Sequence, residues 1–195
     1  MTKTKKPQLY GSTLEGLRAI CEQLDLPRFA HMQIAKWLYM RFVTDIDAMT
    51  DLSKVARERL KEQCDLGLSA PLKVSTSSDG TKKYLFATSE GEYIESALIP
   101  DGERMTLCVS SQAGCRMGCK FCASTVAGKV RDLRPSEMLD QVLFTQLDSG
   151  RTISNIVLMG IGEPLDNRET VLRFLELINH ADGMNIGMRH ISLST

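Results

Sequence analysis

Three of the chain's six cysteines stand within eight residues, as Cys115-Arg-Met-Gly-Cys119-Lys-Phe-Cys122, and this C-x3-C-x2-C stretch limits the fold more than any other feature. Glycines at 114 and 118 cost helix stability, so the stretch reads as a compact loop rather than as one face of a helix with thiols at i, i+4 and i+7. Thiolates are the natural ligands of iron–sulfur clusters, and four-iron clusters usually take four of them. A loop that offers three leaves one iron open, and an open iron can bind a small molecule through nitrogen and oxygen. The other reading is a zinc site completed by Cys108, although zinc sites more often show two C-x2-C pairs.

Composition narrows the setting. At 195 residues the chain is long enough for one good core or for a small domain on a larger one, and 43% hydrophobic with 25% charged residues excludes disordered and fibrous classes. The start, Met1-Thr-Lys-Thr-Lys-Lys-Pro7, lacks the apolar core of a signal peptide, and no apolar run reaches membrane-span length. A cytoplasmic, reducing setting without a membrane partner is therefore expected, in which cysteines serve as ligands or catalysts rather than in structural disulfides. The net charge of zero gives no support to nucleic-acid binding, though a whole-chain sum can hide a local basic surface.

Hydrophobic rhythm divides the chain into three parts: a helical unit over 1–70, a short antiparallel β bridge over 71–103, and an α/β unit over 104–195. Helices are expected over 12–21, with Ser12 as N-cap and Glu15 three residues on, over 30–42, and over 53–63. The second would bury Met32, Ala35, Trp37, Leu38 and Phe42. The third places Val55, Arg59 and Glu62 at helical spacing. His31 reads as a surface or capping residue. Period-two segments follow at 72–75, 82–88 and 93–99, separated by Ser78-Asp79-Gly80 and Ser89-Glu90-Gly91 turns. From 105 the order is strand (105–110), cysteine loop, helix (135–147), strand (153–159), glycine-rich loop (160–167), helix (169–179) and strand (191–194). Such alternation implies right-handed crossovers and a parallel sheet, whose ligands gather at the carboxyl ends of the strands. The cysteine loop, the 160–164 loop and Ser194 all fall there.

Two further stretches, Cys108-Val-Ser-Ser-Gln-Ala-Gly-Cys115 and Gly160-Ile-Gly162-Glu163-Pro164, together with Ser192-Leu-Ser194-Thr195, carry a resemblance over nearly the whole chain. The sequence resembles RlmN/Cfr-type radical S-adenosylmethionine RNA methyltransferases, on the RlmN side of that family. The resemblance implies a helical N-terminal domain followed by the first half of a radical SAM (β/α)6 partial barrel. It implies that Cys115, Cys119 and Cys122 hold a [4Fe–4S] cluster and that Gly162, Glu163 and Ser194 bind S-adenosylmethionine. It places Glu95 on the family's proposed proton acceptor and Cys108 on the thiol that resolves a covalent enzyme–RNA intermediate. The implied reaction is methylation of C2 of an adenine in 23S ribosomal RNA and, in many members, in transfer RNA, with electrons from a donor such as flavodoxin. In that family a methyl group on a second cysteine becomes a carbon radical and adds to the adenine. A base then removes the C2 proton, and a free cysteine displaces the linking sulfur as a disulfide.

Read without the resemblance, the same residues are plainer. A Gly-x-Gly-Glu-Pro loop is an ordinary turn, Ser194 a strand-end polar residue, Glu95 a solvent-facing strand residue and Cys108 an inert buried thiol. The chain also departs from the family pattern, since no cysteine follows Cys122 to carry the methyl group. It therefore reads as part of such an enzyme, expected to be inactive alone. A Cfr-type C8 methyltransferase, a cluster-binding module without chemistry and a zinc-bound domain are the competing readings.

Overall fold

The computed structural model describes residues 6–181 and 183–195. Three helices open the chain: α1 (Leu14–Gln23), α2 (Ala30–Tyr39) and α3 (Lys54–Gln63). The first cap falls one residue later than expected. Thr13 Oγ1 accepts the Gly16 N–H at 3.2 Å, because the Ser12 hydroxyl is already donating to the Gln8 carbonyl at 2.8 Å. Ser53 caps α3 as expected, accepting from Ala56 N at 3.2 Å. The buried faces are Leu17, Ile20 and Cys21 of α1, Ile34, Ala35, Leu38 and Tyr39 of α2, and Ala56 and Leu60 of α3.

Met32 and Val55 point outward instead, so the apolar stripes are rotated from those expected. In α3 the i, i+4 pair Ala56 and Leu60 forms the whole inward face. His31 is also not a surface residue: it is buried, with Nδ1 2.9 Å from the Arg28 carbonyl. Two tyrosines fasten the leading segment to α2. Tyr10 donates to the Leu38 carbonyl at 2.8 Å and Tyr39 to the Ser12 carbonyl at 2.8 Å, with the rings edge to face 5.8 Å apart.

A continuous sheet follows. Strands β1 (Pro71–Thr76), β2 (Lys82–Ala87), β3 (Tyr93–Asp101) and β4 (Arg104–Cys108) form an antiparallel meander. The chain then makes a small hairpin, β5 (Gln112–Gly114) with β6 (Lys129–Asp132), and enters α4 (Pro135–Ser149). Strand β7 (Asn155–Leu158) returns parallel to β4, α5 (Arg168–Asn179) crosses over, and β8 (Ile191–Leu193) lies parallel to β7. The order across the sheet is β1-β2-β3-β4-β7-β8, so β4 belongs both to the meander and to the parallel half.

Alternation assigns the two faces of this sheet. Tyr84, Phe86, Ile94, Leu98, Leu107, Val109, Ile156 and Leu158 are buried against the helices, where α4 contributes Met138, Leu139, Val142 and Leu143 and α5 contributes Phe174 and Ile178. The opposite face is half-open and carries Glu95, Ala97, Cys108 and Val157. Pro135 begins α4 at a position that needs no N–H, and the Glu137 carboxylate accepts the Arg134 N–H at 2.9 Å. Among the described residues no helix is long and apolar enough to cross a membrane.

Candidate functional site

Because β4, β7 and β8 are parallel, the segments that leave their carboxyl ends emerge at one edge of the sheet. Behind β4 comes the cysteine loop, framed by β5 and β6 in the register Gln112–Asp132, Ala113–Arg131 and Gly114–Lys129. Gly114 closes its mouth: φ is +74°, and a Cβ there would stand 1.9 Å from the Gly128 carbonyl oxygen. Inside the loop Cys122 N bonds the Cys119 carbonyl at 3.0 Å, so these two residues share a turn. Cys115 is buried, Cys122 half-buried and Cys119 exposed, and all three are free thiols. Among the described residues no three or more His, Cys, Asp or Glu side chains stand in an arrangement ready to grip a metal ion. The donor set nonetheless fits an iron–sulfur cluster with one open iron: three thiols on one short loop whose two ends are tied by a hairpin.

The segment Ser110-Ser111-Gln112, buried throughout, joins this loop to its neighbours. The Ser110 hydroxyl donates to the Glu95 carbonyl at 2.6 Å and accepts the Ile161 N–H at 2.9 Å. Gln141 of α4 brackets the Ser110 peptide, with Oε1 accepting Ser110 N at 2.8 Å and Nε2 donating to Ser110 O at 3.0 Å. Ser111 N and Gln112 N both bond the Ile161 carbonyl, and Gln112 Oε1 accepts the Glu163 N–H at 2.9 Å. Asn167 Nδ2 reaches the Ser111 and Leu133 carbonyls at 2.8 and 3.1 Å. Sequence reasoning used this stretch as a motif but gave Ser110, Gln112, Gln141 and Asn167 no task. The signal was a polar run directly after an apolar strand, where a buried polar group must find partners.

Gly162 has φ +109°, and a Cβ there would meet Gln112 at 2.6–2.8 Å, backbone N included; no other residue type lets the two loops touch so closely. Glu163 Oε1 accepts the Leu165 N–H at 3.0 Å and so caps the 3-10 turn Pro164–Asn167. Ser194 is exposed and follows β8 by one residue, at the same edge.

Glu95 and Cys108 lie one strand apart on the half-open face. Cys108 pairs with Ala97, two residues from Glu95 on the same side of β3. The Glu95 carboxylate forms an ion pair with Lys83 Nζ at 3.0 Å. Burial pushes the Cys108 thiol above its ordinary value, although a backbone hydrogen bond from Met159 pulls the other way. At neutral pH Cys108 is thus a protonated thiol.

Two charge clusters brace the edge. Asp166 is bonded by Lys129 Nζ at 2.8 Å, by Gln112 Nε2 at 2.9 Å and by Arg116, with Lys129 foremost in holding its carboxyl well below the usual range. Arg131 grips Glu137 with both terminal nitrogens at 2.7 and 2.9 Å and reaches Glu92 at 3.1 Å. Burial opposes ionisation of Glu137, but Arg131 and the N–H groups of Arg134 and Ser89 outweigh it and hold the carboxyl down at about 2.

Comparison with known proteins places these features. Residues 7–66 match the family described as the ribosomal RNA large subunit methyltransferase N-terminal domain, and residues 109–195 match the radical SAM superfamily. A probable dual-specificity RNA methyltransferase RlmN of Clostridioides difficile (strain 630) is 45% identical over 192 residues, covering 98% of this chain and 56% of that protein. Its namesake in Porphyromonas gingivalis (strain ATCC 33277) is 44% identical over 191 residues, covering 98% and 54%. The crystal structure of a radical SAM methyltransferase from Sphaerobacter thermophilus superposes with a TM-score of 0.89 at 39% identity, over 97% of this chain and 57% of that one. The chain spans about half the length of the curated relatives it matches. With both domains matched in order and the fold shared, the chain belongs to the RlmN family of radical SAM proteins.

Proposed function

We propose that these residues form the cluster- and cofactor-binding part of an RNA methyltransferase that places a methyl group on C2 of an adenine in 23S ribosomal RNA and in transfer RNA. The observation that carries the reading is the joining of two loops: Gln112 and Ser110 bond the Gly162–Glu163 loop to the hairpin that frames Cys115, Cys119 and Cys122. Cys115, Cys119 and Cys122 would hold a [4Fe–4S] cluster, which when bound and reduced supplies the electron that breaks a carbon–sulfur bond of S-adenosylmethionine. Glu163 is a carboxylate that can accept the cofactor's ammonium, and Pro164 beside it offers no competing N–H. Gly162 leaves room for close backbone approach, and Ser194 adds a hydroxyl from the end of β8.

On the half-open face Glu95 is the base that removes the C2 proton, and its Lys83 partner keeps a positive charge beside it. Cys108 is the thiol that displaces the linking sulfur; because burial keeps it protonated at rest, it must give up its proton as it attacks. No cysteine follows Cys122 among these 195 residues to carry the methyl group. The chain by itself therefore takes up a cluster but does not methylate RNA. Anaerobic reconstitution with iron and sulfide tests the reading: the chain should turn brown and hold about four irons, and Cys119→Ala should lose them while α1–α3 stay folded. Full iron and sulfide in Cys119→Ala, or zinc in place of iron in the native chain, refutes it.

A further inference from the structure

Asp166 is touched from three points along one hairpin. Gln112 of β5 donates to its Oδ2 at 2.9 Å, before the cysteine loop begins. Arg116, inside the loop between the first two cysteines, pairs with its Oδ1. Lys129, where the chain re-enters β6, reaches its Oδ2 at 2.8 Å and Asp132 Oδ1 at the same distance. Asp166 itself belongs to the 3-10 turn that Glu163 caps, and its N–H bonds the Glu163 carbonyl at 3.1 Å. Its side chain is 10% exposed, whereas that of Arg116 is 64% exposed. A lone surface pair of this kind contributes little, but a shielded carboxylate taking three charge-assisted or amide donors is a fixed anchor. It has no counterpart elsewhere in the cysteine loop among the bonds of the described residues: beyond its short internal turns, only Arg116 ties 116–122 to another element.

We infer that Asp166 is a positioning residue, a latch that holds the cysteine loop in register with the Gly162–Glu163 loop so that the ligands of the two sites face a common space. Arg116 is the arm by which the loop is held. What the latch serves rests on the cluster and cofactor sites proposed above; the latch itself rests on the contacts alone.

The experiment separates the two. In the metal-free 195-residue chain, hydrogen exchange is followed by mass spectrometry for Asp166→Asn, Arg116→Met and Arg116→Lys. Losing the charged contact should speed exchange across 116–128 about tenfold in the first two variants, leave α1–α3 unchanged, and be largely restored in Arg116→Lys. After anaerobic reconstitution, samples of equal iron content are reduced and titrated with S-adenosylmethionine. The cofactor-induced shift in the electron paramagnetic resonance spectrum should need about tenfold more cofactor in Arg116→Met than in the native chain or Arg116→Lys. If Asp166→Asn fails to fold, exposed Arg116 still permits the test. Native exchange across 116–128 in Arg116→Met overturns the latch. Faster exchange with an unchanged cofactor titration overturns its positioning role. A native chain that takes up no iron removes the proposed function instead, and the exchange comparison then decides the latch alone.

Discussion

Replacing Asp140 with asparagine should make the protein less sensitive to rising pH. Asp140 lies on α4 and is 1% exposed. Its Oδ2 accepts the Ser69 N–H at 3.0 Å, pinning the segment that leads from the helical unit into the sheet, and its Oδ1 has no hydrogen-bond partner among the described residues. Burial raises the carboxyl to about 8, with the Ser69 N–H pulling it down and the charge of Glu137 adding to the rise. In the unfolded chain an aspartate titrates near ~3.9. The folded protein therefore keeps a proton that the unfolded chain has released. Stability from this group is complete below the unfolded value and drains as pH rises towards the folded one. Two pH units between pH 5 and 7, at about 1.4 kcal/mol each, amount to about 3 kcal/mol. Asp140→Asn keeps an acceptor for Ser69 and does not titrate. Urea unfolding of both proteins at pH 5, 6, 7 and 8 should show the difference shifting in the variant's favour by that amount from pH 5 to 7. The histidines cancel, being present in both. A difference that stays flat from pH 5 to 8 refutes the argument.

Gly162→Ala should destabilise the chain by about 1–3 kcal/mol through overpacking and positive φ, since its Cβ would stand 2.6 Å from Gln112; an unchanged urea midpoint would count against the loop contact. Glu137→Gln should cost about 3 kcal/mol at pH 7 by leaving Arg131 without its bidentate partner. That cost should fade as pH falls from the ordinary glutamate value towards about 2, because a depressed carboxyl gives its stability above the unfolded value and loses it below; a pH-independent cost would argue against the pair. In a completed enzyme that keeps these residues, Cys108→Ala should accumulate a protein–RNA crosslink that survives denaturation, and release of methylated RNA at the native rate would remove Cys108 from the resolving role.

The strand–loop–helix rhythm after residue 105 was legible because buried parallel strands announce themselves as apolar runs, and the parallel register then carries their loops to one edge. The fine setting of α2 and α3 was not. Val55 and Ala56 are neighbours in sequence, and only packing against the rest of the helical unit, the 3-10 turn Ile46–Ala48 included, decides that the smaller one turns inward. His31 read as a surface or capping residue because nothing of ligand type lies near it in the sequence, and its burial comes from packing that only the fold supplies. The hairpin of β5 and β6 was missed for a different reason. Gln112-Ala-Gly114 is too short to show alternation, and its partner strand lies fifteen residues beyond the end of β5. Nothing in the sequence marks Asp166, since its partners Gln112, Arg116 and Lys129 lie on one hairpin 54, 50 and 37 residues before it. The motifs therefore marked loops that the parallel register brings to one edge, while the bonds that join the loops became visible only when the chain was folded.

The hydroxyl of Ser110 has one more consequence. A single oxygen touches the main chain of the strand that bears Glu95 and the main chain of the loop that leads to Glu163. The spacing between the proposed base and the proposed cofactor clamp is thus written in backbone and one buried atom, not in the side chains that line the open face. Apart from Glu95 and Cys108, those side chains are free to be exchanged for a differently shaped target base, or a different point of attack on it, without recalibrating the frame. Diversification of such a scaffold should therefore tolerate change at Ala97, Thr106 or Val157 and punish it at Ser110, so that new specificities arise on an old ruler.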